Sequence, residues 1–87
     1  KYDDVSIGHT TAAITDIKCV FSMAIRLKAA SIIIVHNHPS GRVKPSEEDC
    51  KLTKDMKVAG EILNIPLLDH IIIGAGRYYS FSEEGKI

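Results

Sequence analysis

The chain has no net charge to spend on a polyanion, with eleven Lys and Arg against eleven Asp and Glu. A domain that grips nucleic acid usually carries a basic excess, so composition gives no support for direct DNA binding. Cysteine is scarce as well. Cys19 and Cys50 are too few and too far apart for a disulfide framework, and both are expected to be reduced and partly buried. No stretch of about 18 apolar residues exists to cross a membrane, and no signal peptide is evident, which points to a soluble, cytoplasmic chain. Low-complexity tracts, internal repeats and linkers are absent too. No glutamate precedes Glu47, and the chain starts at Lys1 rather than Met. The expectation is a single domain, residues 1–87, cut from a longer protein. A chain of this size buries only about 60–65% of its unfolded surface, so its margin of stability is thin.

What is present is a clear alternation of patterns. Asp4 to Ile7 alternates weakly and predicts a short strand, with Gly8 as a turn. From Thr15, Ile17, Val20, Phe21 and Ala24 recur at helical spacing and predict an amphipathic helix to about Lys28. Ser31 to Val35 is a run of β-branched residues apolar on both faces, as in a central strand covered on both sides. A second helix is expected from Glu47 to about Leu63, with Leu52, Met56, Ala59 and Leu63 on its core face; Asn64 or the Ile65–Pro66 step ends it. Leu67 to Ile73 is a second apolar strand, Gly74-Ala75-Gly76 a tight turn, and Arg77 to Phe81 its hairpin partner. The predicted order is β-α-β-α-β-β.

The chemistry concentrates after the central strand, in His36-Asn37-His38-Pro39 and Ser46-Glu47-Glu48-Asp49. Side chains two residues apart on a strand share a face, so His36 and His38 point the same way. A loop with Gly41 and Pro45 brings the next helix back, and Asp49, one turn in, meets them. Two nitrogens and one oxygen suit zinc, and three protein ligands leave a coordination place for water. Each half also has a plain structural explanation. Surface histidines commonly bind nothing, and Ser46 with Asp49 three residues on is a capping box, with Glu47 and Glu48 favoured by the helix dipole. Other residues read first as structural: Asp69–His70 as a hydrogen-bonded strand pair, with a role behind the metal ligands as the alternative, His9 as a turn residue that could approach the site, and Arg42 and Lys44 as loop charges that could meet an acidic substrate group. Of Tyr78 and Tyr79, one is expected in the core and one at the surface. His-Asn-His in direct succession is not the dispersed pattern of an HNH nuclease.

His36-x-His38-Pro39, then Ser46-x-x-Asp49, resembles the JAMM motif of the JAB/MPN metalloenzyme family. His36-Asn37-His38-Pro39-Ser40-Gly41, Pro45-Ser46, and Leu68-Asp69-His70 resemble its RadC-like branch in particular. The similarity runs from about Gly8 to Phe81. It implies a three-layer α-β-α sandwich with a mixed sheet, akin to the cytidine deaminases, although the Pro-Cys-x-x-Cys half of their zinc signature is absent. It implies Zn2+ held by His36, His38 and Asp49, with Ser46 steadying a tetrahedral intermediate. The implied reaction is hydrolysis of a peptide or isopeptide-like amide bond, on a peptide or small amide substrate. The family's general base is a glutamate on an early strand; by offset from Gly8 and His36 its place falls near Asp3, which is one methylene shorter. That departure supports a rival reading, a catalytically silent module of a DNA-repair-associated protein that meets DNA only through the full-length chain.

Overall fold

The computed structural model describes the backbone of residues 4–7, 10–13 and 17–87, and the side chains of residues 17–87. The elements are β1 (Asp4–Ile7), β2 (Thr10–Ala13), α1 (Ile17–Arg26), β3 (Ile32–Asn37), α2 (Glu47–Leu63), β4 (Leu67–Gly74) and β5 (Arg77–Ser80). Five strands form one mixed sheet in the order β2-β1-β3-β4-β5. β3 runs parallel to β4 and antiparallel to β1, while β2 and β5 close the two edges in antiparallel pairs. The fold is thus a small α/β domain. It adds one strand, β2, to the order read from the sequence.

Both helices end in the same way. Lys28 takes a left-handed conformation (φ 54°) after α1, and Asn64 (φ 60°) does so after α2. Ala29 N–H then reaches back to the Ala24 carbonyl at 2.9 Å, and Ile65 N–H to the Gly60 carbonyl at 2.8 Å. These bonds satisfy carbonyls that a helix end otherwise orphans. α1 accordingly stops at Arg26, and α2 at Leu63.

The tight return after α2 leaves no room at Gly60. A Cβ there would stand 2.5 Å from the Ile65 carbonyl oxygen, a backbone atom that cannot swing away. Gly60→Ala should therefore lower stability by about 2 kcal/mol, despite alanine's better helix propensity. Chemical denaturation measures it, and an unchanged or raised midpoint would contradict this packing.

The core lies on one face of the sheet. Val20, Phe21 and Ala24 of α1, Met56 of α2, and Ile32 and Ile34 of β3 join Ile65 and Leu67 in one buried cluster. Among the described residues both helices contribute to that face. On the opposite face Ile33 and Ile73 are exposed, although β3 was expected to be covered on both sides. In α2, Leu63 is exposed where a core position was expected, and Thr53 and Gly60 are buried. Cys19 and Cys50 form no disulfide, and both are exposed rather than partly buried. No helix of the described residues is long and apolar enough to cross a membrane.

Candidate metal centre

β3 carries its buried face, Ile32 and Ile34, straight into His36, which is 8% exposed. The ladder ends where His38 N–H bonds the Ile73 carbonyl at 3.0 Å, and Pro39, lacking an N–H, takes the chain out of the sheet. β1 runs beside this end, with Val5 paired to His36 and Asp4 at the start of the strand. Asp3, where an early acid was expected, and His9 lie outside the described residues.

The loop returns to α2 through a complete capping box. Ser46 N–H donates to Asp49 Oδ2 at 2.8 Å, and Asp49 N–H donates to Ser46 Oγ at 3.0 Å. The cap fixes Asp49 in a buried position facing the histidines. Asp49 Oδ1 lies 3.4 Å from His36 Nδ1, and Asp49 Oδ2 lies 3.1 Å from His38 Nε2. One donor atom from each of the three residues falls within 4.8 Å of the others. The structural and functional explanations of Ser46 and Asp49 are therefore compatible.

These distances can be tested against an ion. Donors about 2.1 Å from a tetrahedral zinc stand about 3.4 Å apart; each histidine has one Asp49 oxygen near that distance, though not the same oxygen, and the three-donor set lies within 4.8 Å. The protonation pattern gives a second test. His38 Nδ1 lies 2.8 Å from the Arg42 carbonyl oxygen, which can only accept, so Nδ1 carries the proton. In the neutral ring, Nε2 then presents a lone pair to a carboxylate oxygen 3.1 Å away. Two acceptors at that distance need a cation between them, either a second ring proton or a metal ion. The donor set fits a divalent metal.

Burial by itself would raise the Asp49 carboxyl's pKa. Contacts from His36 and from the Ser46 backbone and hydroxyl outweigh it and hold the group far below the usual carboxylate range. Asp49 is thus an anion at any pH near neutrality, as a metal ligand must be.

A third histidine supports the pair from beneath. His70 is fully buried and stacks between Phe81, with centroids 4.8 Å apart, and His36, 5.7 Å away. Thr53 Oγ1 donates to the Asp49 carbonyl at 2.8 Å, which uses its only proton. The 2.6 Å contact between Thr53 Oγ1 and His70 Nδ1 must then be donated by the ring. His70 is therefore linked through Thr53 to the backbone of Asp49 and through its ring face to His36. Burial, above all, lowers its pKa to about 4 and keeps it neutral. Thr53 was not singled out in the sequence, because a lone threonine in a helix carries no pattern.

Asp69 does not touch the His70 ring. Its carboxylate accepts the His70 backbone N–H at 2.7 Å, the Ser82 N–H at 3.0 Å and the Ser80 hydroxyl at 2.6 Å, which ties β4 to the turn after β5. Tyr79 is half-buried, and Tyr78 is exposed with its hydroxyl donating to Glu83.

Known proteins place this architecture. A family profile described as the RadC-like JAB domain matches residues 1–86. A UPF0758 protein of Roseiflexus castenholzii is 49% identical over 85 residues, 98% of this chain and 36% of its own length. Another, from Clostridioides difficile, is 50% identical over 80 residues, 92% of the chain and 34% of that protein. A third, from Methanosarcina barkeri, is 48% identical over 87 residues, the whole chain and 38% of the relative. The chain spans little more than a third of the length of these relatives. The chain therefore belongs to the RadC-like JAB domain family.

Proposed function

We propose that this domain is a zinc-dependent hydrolase of the JAMM type, acting on an amide bond in a peptide or small conjugate. The observation that carries the reading is the facing of His38 Nε2 and Asp49 Oδ2, 3.1 Å apart beside His36, which with a neutral His38 ring are two acceptors. His36, His38 and Asp49 would hold a zinc ion there, which would supply an activated water and a Lewis acid for the amide carbonyl.

The protein's own groups have definable tasks. The Arg42 carbonyl fixes the His38 tautomer, so that Nε2 is the nitrogen that would face a metal. Ser46 Oγ accepts Asp49 N–H, and its one hydroxyl proton, which favours the Asp49 anion in the resting site, is the proton that would turn to an oxygen developing negative charge. The resemblance puts the acid that would handle the water's proton near Asp3. Further parts of the reading are a cytoplasmic location and a third layer over the face that exposes Ile33 and Ile73.

Hydrolysis of a quenched fluorescent peptide library by zinc-reconstituted protein tests the proposal. Turnover should appear with zinc and vanish on chelation; no cleavage of any member in either state would sink it. Ser46→Ala should lower kcat by about 100-fold with KM little changed and zinc retained. A variant as active as the parent would remove Ser46 from the chemistry.

A further inference from the structure

We infer that the cleft between loop residues 42–44 and the edge strand β5 binds a substrate carboxylate at least three residues from the scissile amide. The inference rests on the hydrolase reading and deepens it.

The cleft, about 340 Å³, is lined by Arg42, Val43, Lys44, Arg77 and Tyr79. Three of those five residues are cations and none is an acid. Among the described residues the ion pairs join His36 and His38 to Asp49 and Lys51 to Asp55, so none engages these cations. In a chain whose charges sum to zero, this is a local segregation of positive charge. Anionic groups are drawn to such a cleft.

Its position relative to the metal ligands follows from sheet register. His36 pairs with Ile72, and Ile72 with Tyr79, so Tyr79 lies two strands from His36 at the same level of the sheet. Paired residues share a face, and Arg77, two residues from Tyr79, shares it too. Two strand spacings amount to about 10 Å between backbone positions; Ile72, between them on this face, is fully buried, so a peptide reaches the cleft over the loop and needs at least three extended residues to do so. The other wall is joined to the centre directly, because the Arg42 carbonyl holds His38 at 2.8 Å. A peptide whose amide sits at the metal ligands can thus lay a carboxylate between Arg42, Lys44 and Arg77. The carboxylate could belong to an Asp or Glu side chain or to a free C-terminus.

The test measures binding rather than turnover, so it stands apart from the hydrolase reading. Fluorescein-labelled hexapeptides identical except for Glu or Gln at one position, each with a free or an amidated C-terminus, are titrated with the full chain by fluorescence anisotropy at low salt. An acidic peptide should bind about fivefold more tightly than its neutral counterpart for each pair it forms. Arg42→Gln and Arg77→Gln should each remove about one such factor, whereas Lys57→Gln, on α2 outside the cleft, should leave the preference unchanged. The free and amidated peptides decide which carboxylate is read. Equal affinities for acidic and neutral peptides, no detectable binding of either, or an equal loss in Lys57→Gln would overturn the subsite. Cleavage of none of these peptides, with the acidic preference intact, would count against the hydrolase reading alone.

Discussion

Asp49→Asn should weaken zinc binding by more than about 100-fold while leaving the domain folded. The magnitude follows from a comparison: losing a group that merely orients a ligand typically costs 10–100-fold in metal affinity, and losing a charged ligand exceeds that. The fold should tolerate the change because the asparagine carbonyl can still accept the Ser46 N–H that Asp49 Oδ2 accepts at 2.8 Å. Asp49→Ala differs in the second respect. It removes the acceptor as well as the charge, and loss of a capping interaction costs about 1 kcal/mol of stability. The two variants together separate the structural from the ligating role. Calorimetric titration with zinc, alongside denaturation of the metal-free proteins, reads both. Near-parental zinc affinity in Asp49→Asn would show that the carboxylate serves only the cap.

The second large effect is expected at His70, as a change in pH dependence. The ring is buried and neutral in the folded state with its pKa near 4, whereas an unfolded histidine titrates near 6.5. Between these values the unfolded chain binds the proton and the folded chain does not. Stability therefore falls as pH drops from about 6.5 to about 4, by a total of about 3 kcal/mol from this group. His70→Phe keeps a ring of similar size between Phe81 and His36 and has nothing to titrate. At pH 7 the variant loses the bond to Thr53, at a cost of about 1 kcal/mol. At pH 4.5 it should be the more stable of the two. Denaturation of the metal-free proteins across this range gives the difference directly. Parallel curves would mean that His70 is charged or solvated in the fold. In the zinc-loaded state the same substitution should weaken metal affinity, because it releases Thr53 and with it one restraint on Asp49.

Much of the site was legible in the sequence for physical reasons. His36 and His38 share a face because a strand alternates with period 2. Asp49 could be placed because Ser46-x-x-Asp49 marks a helix start, and α2 does begin at Glu47. Its end was marked by Asn64, a residue that accepts a left-handed conformation. Periodicity failed where burial did not follow hydrophobicity. Thr10 to Ala13 shows no apolar alternation, yet it forms β2 by pairing with β1. Thr53 and Gly60 are buried in α2 while Leu63 is not, because the helix turns its small and polar residues towards His70 and the return of the chain. The Thr53–His70 link joins residues 17 apart on different elements. No local pattern could announce it.

On the function proposed above, His36, His38 and Asp49 together hold one divalent metal ion. Elemental analysis of protein stripped with chelator, reconstituted with excess zinc and freed of unbound metal tests it most directly, with His36→Ala and Asp49→Asn treated in parallel. Close to one zinc per chain is expected in the parent and close to none in either variant. A parent stoichiometry near zero, or variants that retain as much zinc as the parent, would contradict it.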